Sequence, residues 1–252
     1  MTPQTIKHVQ RSFSRSFASY HDEASQQALI ANRLVQGLCD NGAPQYFSSA
    51  LELGCGTGHL TQCLRAKFDF GVLTLNDLSP EARQTAQMAK AAFLSGDAQR
   101  IEWPHKPDLI TSSSMIQWLS NPAALMRKAA DALATGGWLA MSTFGPNQYH
   151  ELVQIGSSAR APGLCTSTDL ITALAGKLEV VTTGETVQLI HFDSPRDILK
   201  HLRKTGVNGR AQKPWTKSRL TQFTDDYIRL FPDPQGLPLT YHAVWIIARK
   251  CA

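Results

Sequence analysis

A single doubly wound α/β domain on a seven-stranded, mostly parallel sheet is the fold class this sequence predicts. Two observations predict it. Short apolar runs alternate along the chain with longer helix-like stretches, the pattern of strand–helix–strand units. The first such run, Ser49 to Leu53, then turns through Gly54-Cys55-Gly56-Thr57-Gly58 into a helical segment. At 252 residues there is enough chain for one sizeable core with helical additions.

Ser49 to Leu53 reads as the first strand and is followed by a helix from His59 to Phe68. Val72 to Asn76 is the second strand. Ser79 then offers an N-cap and Pro80 a first-turn residue for a helix running to Ala91. Phe93 to Ser95 is a short third strand and Asp108 to Ser112 a fourth. Pro122 to Ala134 is helical, closed by Gly136-Gly137, and Trp138 to Thr143 is the fifth strand. Glu179 to Phe192 and Leu239 to Arg249 supply the last two. Between the fifth strand and the last, two helical blocks, 148–178 and 195–230, are expected to lie over one edge of the sheet.

Composition narrows the class of function. Hydrophobic residues make up 42% and charged residues 18%, as in ordinary globular proteins, and no apolar run reaches the ~18 residues of a membrane helix. The segment from Met1 to Tyr20 is polar, with no signal-peptide core. Five cysteines, an odd number without a CxxC pair, argue for reduced thiols and against a zinc site. A cytoplasmic monomer with no metal is therefore expected. The net charge of +5 is uneven. Between Asp193 and Leu220 eight basic residues, Arg203 and Lys204 among them, face only two acids. That block is either a solvated helix face or a docking surface for an anionic partner.

The glycine turn carries the chemistry. Its backbone must bend sharply and let a ligand approach without a side chain in the way. If the first strand feeds that turn, the end of the second should offer an acid to ribose hydroxyls about 20 residues on, and Asp77 stands there before Leu78. A carboxylate accepts from two vicinal hydroxyls at once. Ser95-Gly96-Asp97-Ala98, ending the third strand, suits an adenine. The Asp97 carboxylate would take the exocyclic amine and the Ala98 N–H a ring nitrogen.

Together, Glu52-x-Gly54-x-Gly56-x-Gly58, Asp77, Gly96-Asp97 and Asp108-Leu109-Ile110 resemble class I S-adenosylmethionine-dependent methyltransferases, whose fold is a seven-stranded Rossmann-like sheet. The resemblance implies S-adenosylmethionine as methyl donor, held by Glu52, Gly54, Cys55, Gly56, Asp77, Leu78, Asp97, Ala98 and Ser113. A dinucleotide dehydrogenase fits less well, because Leu60 stands where its late glycine would fall.

The fourth strand ends in Ser112-Ser113-Ser114-Met115-Ile116-Gln117-Trp118, without the Asn/Asp-Pro-Pro-Tyr-like turn of DNA and protein amide methylation. Gln117-Trp118 resembles a subgroup that methylates small carboxylic acids, and its amide and indole N–H donors can hold a carboxylate without neutralising it. Further stretches are similar to the malonyl-carrier-protein O-methyltransferases of biotin synthesis. These are Phe13 to Tyr20 running on to Gln27, Ser142 to Asn147, Leu199 to Asn208, and Leu239-Thr240-Tyr241-His242.

That resemblance implies N-terminal lid helices over residues 1–45, with Tyr20 closing the site. It also implies substrate contacts from Gln117, Trp118 and Phe144, and an acyl carrier protein docked on Arg203 and Lys204. No acid or base catalyst is needed, since a malonyl carboxylate with a pKa near about 4 is already ionised. Methylation of a free small acid of the aconitate type is the nearest alternative. An RNA-modifying enzyme is further off, as no RNA-binding motif is present.

Overall fold

Alternation along each strand divides the interior into two apolar layers, one on either face of the sheet. The computed structural model describes residues 25–157, 160–205 and 216–251. Seven strands are formed: β1 (Tyr46–Leu53), β2 (Asp69–Asp77), β3 (Ala92–Ser95), β4 (Leu109–Ser112), β5 (Trp138–Phe144), β6 (Glu179–Phe192) and β7 (Leu237–Arg249). They lie in the order β3-β2-β1-β4-β5-β7-β6. The first five run parallel, and β7 enters antiparallel between β5 and β6. The strand order reverses between β1 and β4, so the crevice for a ligand opens beyond their carboxyl ends.

The helices follow as α1 (Ser25–Asp40), α2 (His59–Lys67), α3 (Arg83–Met88), α4 (Pro122–Ala132), α5 (His150–Gln154), α6 (Ser167–Leu174), α7 (Pro195–Lys204) and α8 (Lys217–Leu230). On one face Leu51, Leu53, Ile110, Leu139, Met141 and Ile246 pack with Leu125 and Met126 of α4 and Leu170 and Leu174 of α6. On the other, Ala50, Leu73, Leu75, Leu109, Ala140 and Ile247 meet Leu34 and Leu38 of α1 and Leu60 and Leu64 of α2. Helices cover both faces, so the sheet is doubly wound.

A third apolar cluster sits past the end of β5. Phe144, Tyr149 and Leu152 meet Ile198 and Leu202 of α7, Phe223 and Tyr227 of α8, and Tyr241 of β7. It is tied to the sheet through the buried Glu151, whose carboxylate accepts from the backbone N–H of Thr240 at 3.0 Å and from its hydroxyl. This cluster is the cap, and it hangs from β7.

Several boundaries differ from those expected. β1 and β2 each begin three residues early, pairing Tyr46 with Asp69 and Phe47 with Phe70, where buried Phe47 is flanked by exposed Tyr46 and Ser48 and so makes no continuous apolar run. The helix expected from Ser79 to Ala91 is instead a 3₁₀ turn, Pro80–Ala82, followed by α3. It stops because Lys90 adopts a left-handed conformation, φ 51°. α4 stops at Ala132, since Leu133 is extended and the Ala134 N–H turns to the Pro107 carbonyl.

The expected helical additions are also redistributed. Within residues 1–45, the part from Ser25 to Asp40 is a core helix, with Leu34 and Leu38 fully buried against the sheet. Residues 1–24, with Tyr20, lie outside the described residues. In the block 148–178, α6 lies on a sheet face rather than over an edge, because Leu170, Ala173 and Leu174 form an apolar stripe that packs on α4.

Leu34 tests the placement of α1. Leu34→Ala is expected to lower stability by about 2–5 kcal/mol in chemical denaturation, the usual cost of emptying a buried leucine site. A loss under about 1 kcal/mol would place α1 outside the core.

Candidate functional site

Backbone geometry sets the glycine turn. Gly54 (φ 72°) and Gly56 (φ 49°) are in the left-handed region that side chains disfavour. The Gly54 and Cys55 N–H groups both donate to the Asn76 carbonyl at the end of β2, at 2.8 and 3.0 Å. A Cβ on Gly54 would come within 2.4 Å of the Met115 side chain, so the turn presses directly on the loop after β4. A Cβ on Gly56 would meet nothing within 4 Å. That opening is the space a ligand can use.

Asp77 ties this turn to its neighbour. Its Oδ2 accepts the Gly56 N–H at 2.8 Å and its Oδ1 the Ser79 N–H at 2.7 Å. Burial pushes the Asp77 carboxyl above its ordinary range; the Ser79, Gly56 and Leu78 N–H groups act against this, and the charge of Glu81 adds to it. A carboxylate has about four lone-pair sites, so acceptor capacity remains on Asp77 beside these N–H groups. Leu78 is half-buried beside it.

Glu52 lies behind the turn rather than in the opening. It is buried and accepts the Thr61 hydroxyl of α2 at 2.8 Å. Burial pushes its pKa up to about 8; the Thr61 hydroxyl works against that rise and the charge of Asp77 adds to it. Cys55 is also buried, its thiol raised by burial and by the charges of Asp77 and Glu52.

Two residues that sequence reasoning missed complete the frame. The Asn76 side-chain amide donates to the carbonyls of Leu94 and Gly96, each at 2.9 Å, fixing the end of β3. The Thr85 hydroxyl donates to the Gly56 carbonyl at 2.7 Å. An asparagine closing an otherwise apolar strand was the available signal for the first. At the end of β3 the Asp97 carboxylate accepts the Gln99 N–H at 3.0 Å, and Ala98 is buried beside it.

The acceptor side is built from the ends of β4 and β5. The Ser112 hydroxyl donates to the Leu53 carbonyl at 2.9 Å, and the Ser142 hydroxyl to the Ser113 hydroxyl at 3.0 Å. A 3₁₀ turn, Ile116–Trp118, then brings Gln117, Trp118 and Phe144 to one pocket with Gln27, Ser114, Gln148 and Arg160. The Gln117 amide is turned inward: one N–H goes to the Ser114 carbonyl, and its oxygen receives the Thr143 hydroxyl at 3.4 Å. By contrast the buried Gln27 Oε1, Ser114 Oγ and Gln148 Nε2 have no hydrogen-bond partner among the described residues. Buried polar atoms in that condition are costly and call for a polar occupant. Gln148 and Arg160 belong to no motif, and only the folded chain brings them to Gln27 and Ser114.

Arg203 is exposed on α7, whose Ile198 and Leu202 face the cap; Lys204 beside it is half-buried. Thr205, which follows, lines the pocket of Gln117 and Trp118. Among the described residues no group of three or more His, Cys, Asp or Glu side chains is arranged to hold a metal ion.

A family model described as a methyltransferase domain matches residues 24–210. A malonyl-[acyl-carrier protein] O-methyltransferase of Bacteroides thetaiotaomicron is 31% identical over 252 residues, covering 94% of this chain and 95% of the relative. The protein of the same name from Acinetobacter baylyi is 33% identical, with 96% of each covered. In Bacteroides fragilis such a relative is 34% identical, yet the chain spans only 50% of its length. Among solved structures, the YcgJ protein of Bacillus subtilis covers 86% of this chain and 98% of its own at a TM-score of 0.61 and 15% identity. The N-methyltransferase NodS of Bradyrhizobium japonicum, in complex with S-adenosyl-l-homocysteine, covers 96% and 98% at 0.54 and 16%. These two support the fold.

The raised pKa of Glu52 has a testable sign. Folding binds its proton more tightly, so its contribution to stability is full below the ordinary 4.5 and is lost as pH rises through about 8. Glu52→Gln keeps the shape, and its oxygen can still accept the Thr61 hydroxyl. Denaturation across that range is expected to show a shallower loss of stability with rising pH in the variant. An unchanged slope would mean that Glu52 folds ionised.

Proposed function

Because this chain belongs to the malonyl-[acyl-carrier protein] O-methyltransferase family, we propose that it transfers a methyl group from S-adenosylmethionine to the free carboxylate of a malonyl group on acyl carrier protein. The resulting ester would serve as the disguised primer from which fatty-acid elongation builds the pimelate part of biotin. The observation that carries the reading is a pocket of polar atoms, unpaired among the described residues, in sequence contact with the loop that packs on the glycine turn. The donor-lined pocket at Ser114 lies one residue before Met115, the side chain that a Cβ on Gly54 of the glycine turn would strike.

In this proposal Asp77 holds the ribose hydroxyls, Asp97 and Ala98 the adenine, and the turn from Gly54 to Gly56 lies along the methionine part. Glu52 acts from behind, fastening β1 to α2. When bound, S-adenosylmethionine supplies an electrophilic methyl group on a sulfonium.

The malonyl carboxylate, with a pKa near about 4, arrives ionised and needs no general base. The described residues lining the pocket include no histidine, aspartate, glutamate or lysine. The Ser114 hydroxyl, the Gln148 amide and the Arg160 guanidinium are suited to hold that carboxylate. Trp118 and Phe144 exclude water. Fixing the carboxylate in line with the methyl group can contribute ~7–11 kcal/mol through lost translational and rotational freedom.

For the partner, Arg196, Lys200 and Arg203 are exposed on the outward side of α7, while Ile198 and Leu202 are buried. Acyl carrier proteins are strongly acidic. A carrier docked on this face would sit beside Thr205 at the pocket, within reach of its pantetheine arm. No described helix is long and apolar enough to cross a membrane, and we take the enzyme to act as a cytoplasmic monomer.

The first test is transfer of labelled methyl from S-adenosylmethionine to malonyl-carrier protein, with the label released by base as expected of an ester. No transfer, or base-stable label, rules the reading out. Reversing charge at Arg203 and Lys204 is expected to lower kcat/KM on the carrier substrate on the order of tenfold, while turnover of malonyl-CoA holds. Equal loss on both substrates would remove the docking face from the proposal. Arg160→Met is expected to raise KM for the malonyl substrate roughly tenfold with S-adenosylhomocysteine affinity unchanged. A shift in affinity for that product instead would assign Arg160 to the cofactor side.

A further inference from the structure

Residues 97 to 103 form an irregular turn after β3, without strand partners of their own. Their carbonyls need donors from elsewhere. One side chain supplies three of them. Lys128 of α4 reaches this turn, and its ammonium donates to the carbonyls of Ala98 at 3.2 Å, Gln99 at 3.3 Å and Ile101 at 3.3 Å. An ammonium has three N–H donors, and each finds an acceptor here.

The Trp103 ring covers the same ammonium, 4.2 Å from its centroid, and the Trp103 indole N–H donates to the Ala98 carbonyl at 2.9 Å. The Ala98 carbonyl therefore receives two donors while the Asp97 carboxylate receives the Gln99 N–H at 3.0 Å. Lys128 is half-buried. Burial draws its pKa below the ordinary range, and the charge of Asp97 acts against that. A cation half withdrawn from water and spent on three carbonyls is expensive for a surface decoration. It makes sense where the turn must hold one shape.

We infer that Lys128 is a positioning residue for the methyl donor: it folds the 97–103 turn around its ammonium so that Asp97 and Ala98 meet the adenine edge in fixed register. Lys128 does not itself touch the ligand. The inference rests on the assignment of Asp97 and Ala98 to the adenine under the proposed function, and it adds a specificity determinant on a different element, α4. Nothing in the chemistry of methyl transfer requires this lysine. Its effect is on which nucleoside is accepted and how tightly.

The test measures binding of S-adenosylhomocysteine and of its inosine counterpart, which lacks the exocyclic amine, by titration calorimetry. Wild-type protein is expected to prefer the adenosine form. Lys128→Met is expected to weaken S-adenosylhomocysteine about tenfold and to narrow the preference over the inosine form. It should raise KM for S-adenosylmethionine while leaving KM for malonyl-carrier protein and kcat at saturation near wild type. Lys128→Arg, which keeps the charge and several donors, should restore most of the affinity. Should Lys128→Met not fold, Trp103→Phe carries the same test, with a loss of about threefold expected from removing one neutral donor.

Affinity within about twofold of wild type, or equal weakening of both nucleosides, overturns the inference: the first leaves the clamp idle, the second makes it mere scaffolding. If wild-type protein fails to bind S-adenosylhomocysteine, the proposed function falls first and the clamp with it. If wild type binds it and Lys128→Met binds it equally well, only the clamp falls.

Discussion

Everything at the mouth of this sheet depends on Asn76. Its backbone carbonyl accepts the Gly54 and Cys55 N–H groups, and its side-chain amide serves the carbonyls of Leu94 and Gly96. One buried residue thus joins the ends of β1, β2 and β3. A left-handed glycine turn costs conformational entropy and leaves amides without partners unless something holds it. Asn76 holds it from below, Asp77 from the side through Gly56, and Thr85 from above. The ligand-facing turn is therefore a consequence of β2 as much as of its own glycines.

The acceptor pocket follows a different logic. Around the glycine turn the backbone N–H groups of Gly54, Cys55 and Gly56 are already engaged, which shapes that region before anything binds, while the buried Thr57 hydroxyl has no partner there among the described residues. In the pocket, Ser114, Gln27 and Gln148 keep buried polar atoms without partners. Such atoms destabilise the empty protein and repay an occupant of matching polarity. A pocket of that kind selects by what it leaves unsatisfied, and an apolar occupant of the same size would leave those atoms uncompensated.

What was legible in the sequence was local. The strand runs, the glycine turn and Asp77 at the end of β2 could be read because spacing along the chain fixes them. The acid Glu52 was legible as a residue but not as a position: whether it faces the ligand or α2 depends on Thr61. α6 was misplaced because its stripe of Leu170, Ala173 and Leu174 says that one face is buried, not against what. Arg160, Gln148 and Lys128 were invisible for the same reason. Each acts on segments far from it in the chain, and no periodicity encodes that.

The antiparallel β7 carries one more implication, for how such a chain comes to be made. β5 and β6 do not touch each other; each pairs with β7, which is synthesised after both. While the ribosome is still producing α7 and α8, two strand edges stand bare, one of them lined by the fully buried Leu139 and Met141. The cap cannot settle either, since Glu151 awaits Thr240. Two of the six strand pairings therefore form late and through contacts distant in sequence, a slow class of folding step. Until it does, the nascent chain depends on being shielded from other copies of itself.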